Sequence, residues 1–206
     1  MGDPMISLAI LAGGVSSRMG QDKALNSFLG QPLILRVIHR LSPLSEDVFI
    51  SANRPKDYAF LDIPIFADIQ PGCGALGGIY TSLLAAKNPL VAVVGCDMPF
   101  ASLALFEHER EMMRKTDVDV VVPSTPEGLE PLHAVYRRET CLPAIQSALG
   151  AGERKLVSWF PKVKAHTLSP EETAQYTSSY LAFWNLNTLE EFRKAEELAR
   201  LQGASQ

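Results

Sequence analysis

Cysteine is scarce in this chain, and Cys73, Cys96 and Cys141 form no C-x-x-C pair. Three thiols cannot all pair within one chain, so a disulfide framework is excluded and reduced thiols are expected. Long apolar runs are missing as well: nothing approaches the about 18 consecutive apolar residues of a membrane span. A signal-peptide layout is lacking, because Asp3 and Pro4 precede only a strand-length apolar run. There is no excess of positive charge either. The net charge of −4 argues against broad binding to nucleic acid or to an anionic membrane surface. Internal repeats and low-complexity segments are absent, and only Gln202 to Gln206 read as a frayed tail. A cytoplasmic protein with no nucleic-acid and no membrane partner is expected.

What is present is ordinary globular material with one unusual stretch. At 206 residues, 47% hydrophobic and 20% charged, the chain suits a single domain over 1–206 with a sizeable core. Near its start, Ser7 to Ala12 is an apolar run of strand length that ends in Gly13-Gly14. Ser16, Ser17, Arg18, Gly20 and Lys23 follow. Glycines expose backbone N–H groups, and fixed cations beside them make a loop that favours phosphate. A Walker loop is excluded because Gly20 is followed by Gln21. The dinucleotide fingerprint is excluded because the glycines are adjacent, not spaced as G-x-G-x-x-G.

After this loop the elements alternate. Pro32–Leu41 has helical apolar spacing, with Pro32 at a suitable first position. Strands are expected at 47–51, 63–67, 90–95 and 118–122, with helices at 76–86 and 101–115 between them. Alternation of this kind implies a mostly parallel sheet with right-handed crossovers, an α/β fold. Further on, 132–137 reads as a strand, 139–149 as a helix and 163–168 as a strand. Thr188 and Glu191 form a capping box for a helix reaching Leu201. His133 and Trp159 are expected to pack in the core.

Ligands on such sheets bind beyond the carboxyl ends of the strands. The residues that follow successive strands are the glycine loop, Asn53, Asp68 and Asp97. Singly, each is an ordinary turn or cap residue. Together they place cations, an amide and carboxylates on one edge. Asp97 follows the most apolar strand and is the natural ligand for Mg²⁺, which takes one or two carboxylates plus substrate phosphates. Asn185 and Asn187 alternate on a strand-like approach to the last helix, so both can point the same way, and capping accounts for only one of them.

These blocks also resemble a known family. Leu11-Ala-Gly-Gly-x-Ser-x-Arg18-Met-Gly-x-Asp22-Lys23 is similar to the first motif of the molybdenum cofactor guanylyltransferases, nucleotidyltransferases with a Rossmann-like three-layer fold. Ser51-Ala-Asn53-Arg54, Asp68 with Gly74-Ala-Leu-Gly-Gly78, Cys96-Asp97-Met-Pro99 and Phe183-Trp-Asn185-Leu-Asn187 continue the likeness in order. Two departures stand out: Ala75 where the family often has proline, and Glu130 where it often has glutamine. The resemblance implies GMP transfer from GTP to molybdenum-bearing molybdopterin, with Mg²⁺ and release of pyrophosphate. It implies Leu11, Ala12, Gly13, Gly14, Lys23, Asn53, Asp68 and Asp97 as nucleotide contacts, with Asp97 also the metal ligand. Arg18, Lys23 and Asp97 become the catalytic set, and Asn185 and Asn187 the acceptor contacts. Residues 6–125 would form a nucleotide-binding half and 126–200 an acceptor-binding half. A monomer is expected, in exchange with molybdenum-insertion proteins and molybdoenzyme apoproteins. The competing readings are a molybdopterin cytidylyltransferase, another Mg²⁺-dependent nucleotidyltransferase of the same fold, and a non-catalytic nucleotide sensor or cofactor-delivery protein. The family's cytidine branch usually carries Leu-Ala-Ala-Gly where this chain has Leu11-Ala-Gly-Gly14, which favours guanine.

Overall fold

Strand β1, Ile6–Ala12, is buried at every position. Ile6, Leu8 and Ile10 pack into one core cluster, while Ala9 and Leu11 pack into another on the opposite face. A strand covered on both faces has no reason to alternate apolar with polar, which explains the continuous apolar run. Ser7 is its polar exception. Its hydroxyl donates to Asp47 Oδ2 at 2.6 Å and accepts from the Asn88 amide at 3.1 Å, so burial leaves it satisfied.

The computed structural model describes residues 5–12 and 22–203. After β1 come β2 (Ser27–Phe28), β3 (Gln31–Pro32), α1 (Leu33–Leu41), β4 (Asp47–Ala52), β5 (Ile65–Phe66), α2 (Gly74–Ala85), β6 (Leu90–Gly95) and α3 (Leu103–Lys115). The second half supplies β7 (Val120–Thr125), β8 (Gly128–Leu129), β9 (His133–Arg137), α4 (Arg138–Gly150), β10 (Ala165–Leu168), α5 (Pro170–Ala174) and α6 (Leu189–Gly203). The main sheet runs in the order β10-β7-β9-β6-β1-β4-β5, with β8 paired to β7. β1 is parallel to both neighbours, setting Ala9 opposite Phe49 and Val93. β9 is antiparallel to both β6 and β7. Helices α1 and α3 cover one face through Ile34, Val37, Leu105 and Phe106; α2 and α4 cover the other through Leu76, Ile79, Ile145 and Ala148. The expected mostly parallel, three-layer α/β architecture is what the chain adopts.

Differences from expectation are local. The third strand shrinks to Ile65–Phe66, and the fifth shifts to Val120–Thr125. The β2–β3 hairpin escapes a sequence reading because its turn carries Leu29 at φ 51 beside Gly30 at φ 84, not the usual Asn-Gly. Leucine there is strained, and a tertiary bond offsets the strain: the Leu29 amide donates to Glu196 Oε1 of α6 at 2.6 Å. A third apolar cluster joins this hairpin to α6 through Phe28, Leu33, Phe100, Leu186 and Phe192. Thr188 and Glu191 form the expected box, with the Glu191 amide donating to Thr188 Oγ1 at 3.2 Å and the Thr188 amide to Glu191 Oε2 at 2.7 Å.

Two titratable groups lie inside the first core cluster. Glu109 of α3 and His133 of β9 are fully buried, with Oε1 3.4 Å from Nδ1. His133 Nε2 accepts from the Ser102 amide at 3.1 Å, so the neutral ring carries its proton on Nδ1, facing Glu109. Burial pushes the Glu109 carboxyl well above 4.5 and lowers His133 from 6.5 to about 3. The folded pair therefore holds one proton across a wide range. The unfolded pair holds two below pH 4.5, one up to 6.5 and none above. Stability rises with pH wherever the unfolded chain binds more protons. The pair's contribution should rise to pH 4.5, stay level to 6.5, then decline. The decline should approach about 1.4 kcal/mol per pH unit. Glu109→Gln should abolish the decline, leaving a contribution that rises to pH 6.5 and stays level. Melting of both proteins across pH checks this: parallel curves above pH 6.5 would refute it.

Candidate active site

β1 feeds α1 and then β4 on one side, whereas β6 lies on its other side. The connections from β1 to β4 and from β6 to β7 thus lead to opposite sides of the sheet, a switch point of the kind at which α/β sheets form a ligand crevice. The two strands stay joined to their last residues, the Cys96 amide donating to the Leu11 carbonyl at 3.0 Å. Leu11 and Ala12 thus end beside the turn that carries Asp97. Helix α2 lies close over Leu11, because a Cβ on Gly78 would stand 3.1 Å from Leu11 Cδ2. Gly13, Gly14, Arg18 and Gly20 lie outside the described residues.

Asp97 sits in the turn after β6, and its carboxylate folds back over Gly95. A Cβ on Gly95 would come within 2.9 Å of Asp97 Oδ1, so only glycine leaves that oxygen its place. Burial pushes the Asp97 carboxyl above the ordinary carboxylate range, and the nearby Lys23 ammonium works against that shift. The cap of α3 is Ser102, whose Oγ accepts from the Leu105 amide at 3.2 Å, so Asp97 is not needed for capping. The loop beyond it is clamped by Arg36, which donates from Nε to the Pro99 carbonyl at 3.0 Å. That guanidinium also stands 5.3 Å from the Phe28 ring centroid and 5.6 Å from that of Phe100.

Lys23 reaches across the crevice to the far end of the sequence. Its Nζ donates to Asn187 Oδ1 at 2.5 Å. Asn187 Nδ2 donates to the Asn185 carbonyl at 3.0 Å, and Asn185 Nδ2 to the Phe183 carbonyl at 3.1 Å. Residues 184–187 form no strand, so the alternation expected there does not apply. Backbone contacts hold them instead: the Leu186 amide donates to the Asp97 carbonyl at 3.0 Å. Lys23, Asp97, Asn185 and Asn187 are brought together in this way. Asn53 is exposed beyond the end of β4. Asp68 is half-buried, accepts from Ser51 Oγ at 3.1 Å and is pushed upward by burial.

Asp22 is a residue whose role the sequence reading passed over. Its Oδ1 accepts from the Ala24 amide at 3.2 Å, capping the short helical turn Lys23–Leu25. Its Oδ2 accepts from the Tyr58 hydroxyl at 2.6 Å and lies 3.8 Å from Arg54. These partners occupy its charge, so Asp22 fixes the base of Lys23. Its position beside Lys23 was visible in the sequence, but Tyr58, 36 residues away, was not. Among the described residues no group of three or more His, Cys, Asp or Glu is gathered as for a metal ion. A single desolvated carboxylate with a lysine ammonium nearby nevertheless fits Mg²⁺, which commonly takes its remaining ligands from substrate phosphates and water.

The model of the MobA-like NTP transferase domain matches residues 8–167. The molybdenum cofactor guanylyltransferase of Desulfosudis oleivorans is 35% identical over 188 residues, 91% of this chain and 92% of that protein. The probable molybdenum cofactor guanylyltransferase of Carboxydothermus hydrogenoformans is 33% identical over 198 residues, 96% of this chain and 98% of that protein. The chain belongs to the molybdenum cofactor guanylyltransferase family. Molybdopterin-guanine dinucleotide biosynthesis protein A from Archaeoglobus fulgidus superposes with a TM-score of 0.82 at 25% identity, covering 94% of this chain and 98% of that one. As a family member the chain is a nucleotidyltransferase, and the crevice between β1 and β6 is its candidate centre. Gly95→Ala tests that placement. The added methyl should displace the Asp97 carboxylate and lower pyrophosphate release by about 10²-fold, the scale of a misplaced reacting group. Normal turnover by a folded Gly95→Ala protein would remove Asp97 from the chemistry.

Proposed function

We propose that the protein transfers GMP from GTP to molybdenum-bearing molybdopterin, releases pyrophosphate and forms the guanine dinucleotide cofactor. The observation that carries this reading is the Lys23–Asn187 contact, which joins the expected nucleotide loop to the expected acceptor segment at a single point. Leu11, Ala12, Gly13, Gly14, Lys23, Asn53, Asp68 and Asp97 bind the nucleotide; Asn185 and Asn187 bind the acceptor. On this reading residues 6–125 form the nucleotide half, and 126–200 the acceptor half. The protein acts as a cytoplasmic monomer that takes its acceptor from molybdenum-insertion proteins and passes the product to apoenzymes. No helix among the described residues is long and apolar enough to cross a membrane.

The chemistry asks little of the side chains beyond charge and position. A phosphate monoester is mostly dianionic at neutral pH, its second pKa being about 6, so the acceptor phosphate attacks the α-phosphorus without a general base. The nearby groups that might have served are unsuited to it: His133 is neutral and buried, and burial pushes the Cys96 thiol far up. Lys23 offsets the repulsion between the two anions and stabilises the leaving pyrophosphate, with Arg18 assisting from the loop. Asp97 would hold Mg²⁺, which when bound neutralises phosphate charge. As GTP enters, Lys23 exchanges Asn187 for phosphate, freeing the Asn187 amide oxygen for the acceptor.

Asparagine at 97 keeps the size and removes the charge. Asp97→Asn should fold normally and lose about 10²-fold or more in pyrophosphate release, as when one electrostatic group is taken from an active site. Release near the wild-type rate at low Mg²⁺ would overturn the metal-holding role.

The base is tested separately. GTP should be used in preference to CTP and ATP when each is supplied with Mg²⁺ and molybdopterin. Equal use of GTP and CTP would point to the cytidylyltransferase reading.

A further inference from the structure

We infer that Glu130 reads the hydrogen-bond-donor edge of the acceptor's pterin ring, and that the cavity it lines holds that ring. The inference rests on the acceptor reading above. The cavity, of about 550 Å³, is walled by Met98, Leu132 and Leu156 and edged by Glu130, Lys155 and Asn185. It adjoins the reaction centre through two chain neighbours. Met98 follows Asp97, and Asn185 precedes Leu186, whose amide donates to the Asp97 carbonyl at 3.0 Å. A ligand lying in it can therefore extend a phosphate toward Lys23.

The lining suits a flat, polar heterocycle. Apolar side chains match its faces, and among the described lining residues Glu130 and Lys155 are the charged ones, of opposite sign. A 2-amino-4-oxopteridine presents a ring N–H and an exocyclic amino group side by side, both donors. An ionised carboxylate is acceptor-only and takes two such donors together. Glutamine cannot do so, since one of its two terminal atoms is itself a donor.

Glu130 is held ready for this contact. Its amide donates to the Pro123 carbonyl at 2.9 Å, and its carbonyl accepts from the His133 amide at 3.0 Å. Two further bonds fix the residues after it: the Gly95 amide donates to the Leu132 carbonyl at 3.1 Å, and the Tyr136 hydroxyl to the Pro131 carbonyl at 2.6 Å. Thr125 Oγ1 donates to Oε1 at 3.4 Å, a long bond that leaves most of the carboxylate's capacity unused. Burial, with Glu127 nearby, pushes this carboxyl upward, the response of a charge that lacks its partner.

The test uses pterin and lumazine, its 2,4-dioxo counterpart, as probes in fluorescence titrations of the full chain. Wild-type protein should bind pterin about tenfold tighter than lumazine, since lumazine sets an oxygen against the carboxylate where pterin offers an amino group. Glu130→Gln, with unchanged melting and unchanged GTP binding, should lose that preference and raise the KM for molybdopterin about tenfold. Equal binding of both probes by the wild type, or a preference retained in Glu130→Gln, would overturn the inference. These results differ from failure of the acceptor reading itself, which would show as no pyrophosphate from wild-type protein, GTP and molybdopterin.

Discussion

The hydrogen bond from the Cys96 amide to the Leu11 carbonyl is where the two central strands part. Up to that point β1 and β6 are parallel neighbours with both faces buried, and nothing polar can be accommodated there without a partner. Beyond it, the chain leaving β6 enters the turn that carries Asp97. The crevice is therefore a consequence of strand order. Its polarity follows from the same fact. The first side chains past the end of the apolar strand are the first that can bear charge, and Asp97 is among them.

Placing that charge accurately depends on packing remote from it. The third apolar cluster joins the β2–β3 hairpin, the loop at Phe100 and helix α6, so α6 packs against the loop that follows Asp97. Arg36 and the backbone bond from Leu186 to Asp97 translate this packing into position. The Lys23–Asn187 contact then spans 164 residues without either residue needing to be rigid alone. A lysine side chain loses considerable rotamer freedom when ordered, so its support from Asp22 and Asn187 matters for preorganisation. Burial of apolar area is worth about 25 cal/mol per Å², so even this small cluster can hold α6 in place.

A second polar device is separate from the crevice yet mechanically tied to it. His133 accepts from the Ser102 amide, just beyond the Asp97 loop, and its other nitrogen faces Glu109. Phe106 stacks on the ring with centroids 3.9 Å apart. The Ser102–His133 bond links β9 to the start of α3, while Glu109 faces the ring without a hydrogen bond to it, inside the core where a polar group has few alternative partners. Such a link favours one register of β9 against its neighbours. It also carries Glu130 and Leu132, three and one residues before it, to the edge of the cavity lined by Met98 and Asn185.

Sequence alone determined the α/β class, the positions of the long elements and the edge at which the candidate site lies. Hydrophobic period and strand alternation are local, and the rule about carboxyl ends needs only the order of elements. It also singled out Lys23, Asp97, Asn185 and Asn187 as candidates, because their motifs are long and carry the family's order, and the fold brings these four together. Tertiary structure decided everything that depends on which distant residues meet. That includes the Leu29 turn stabilised by Glu196, the reversal of β9, the clamp of Arg36 on the Pro99 carbonyl and the support of Lys23 by Asn187. It replaced the expected strand at Asn185 and Asn187 with an irregular segment held by Asp97. No local signal encodes these, since each bond closes a loop of many residues and exists only because the whole core has already formed.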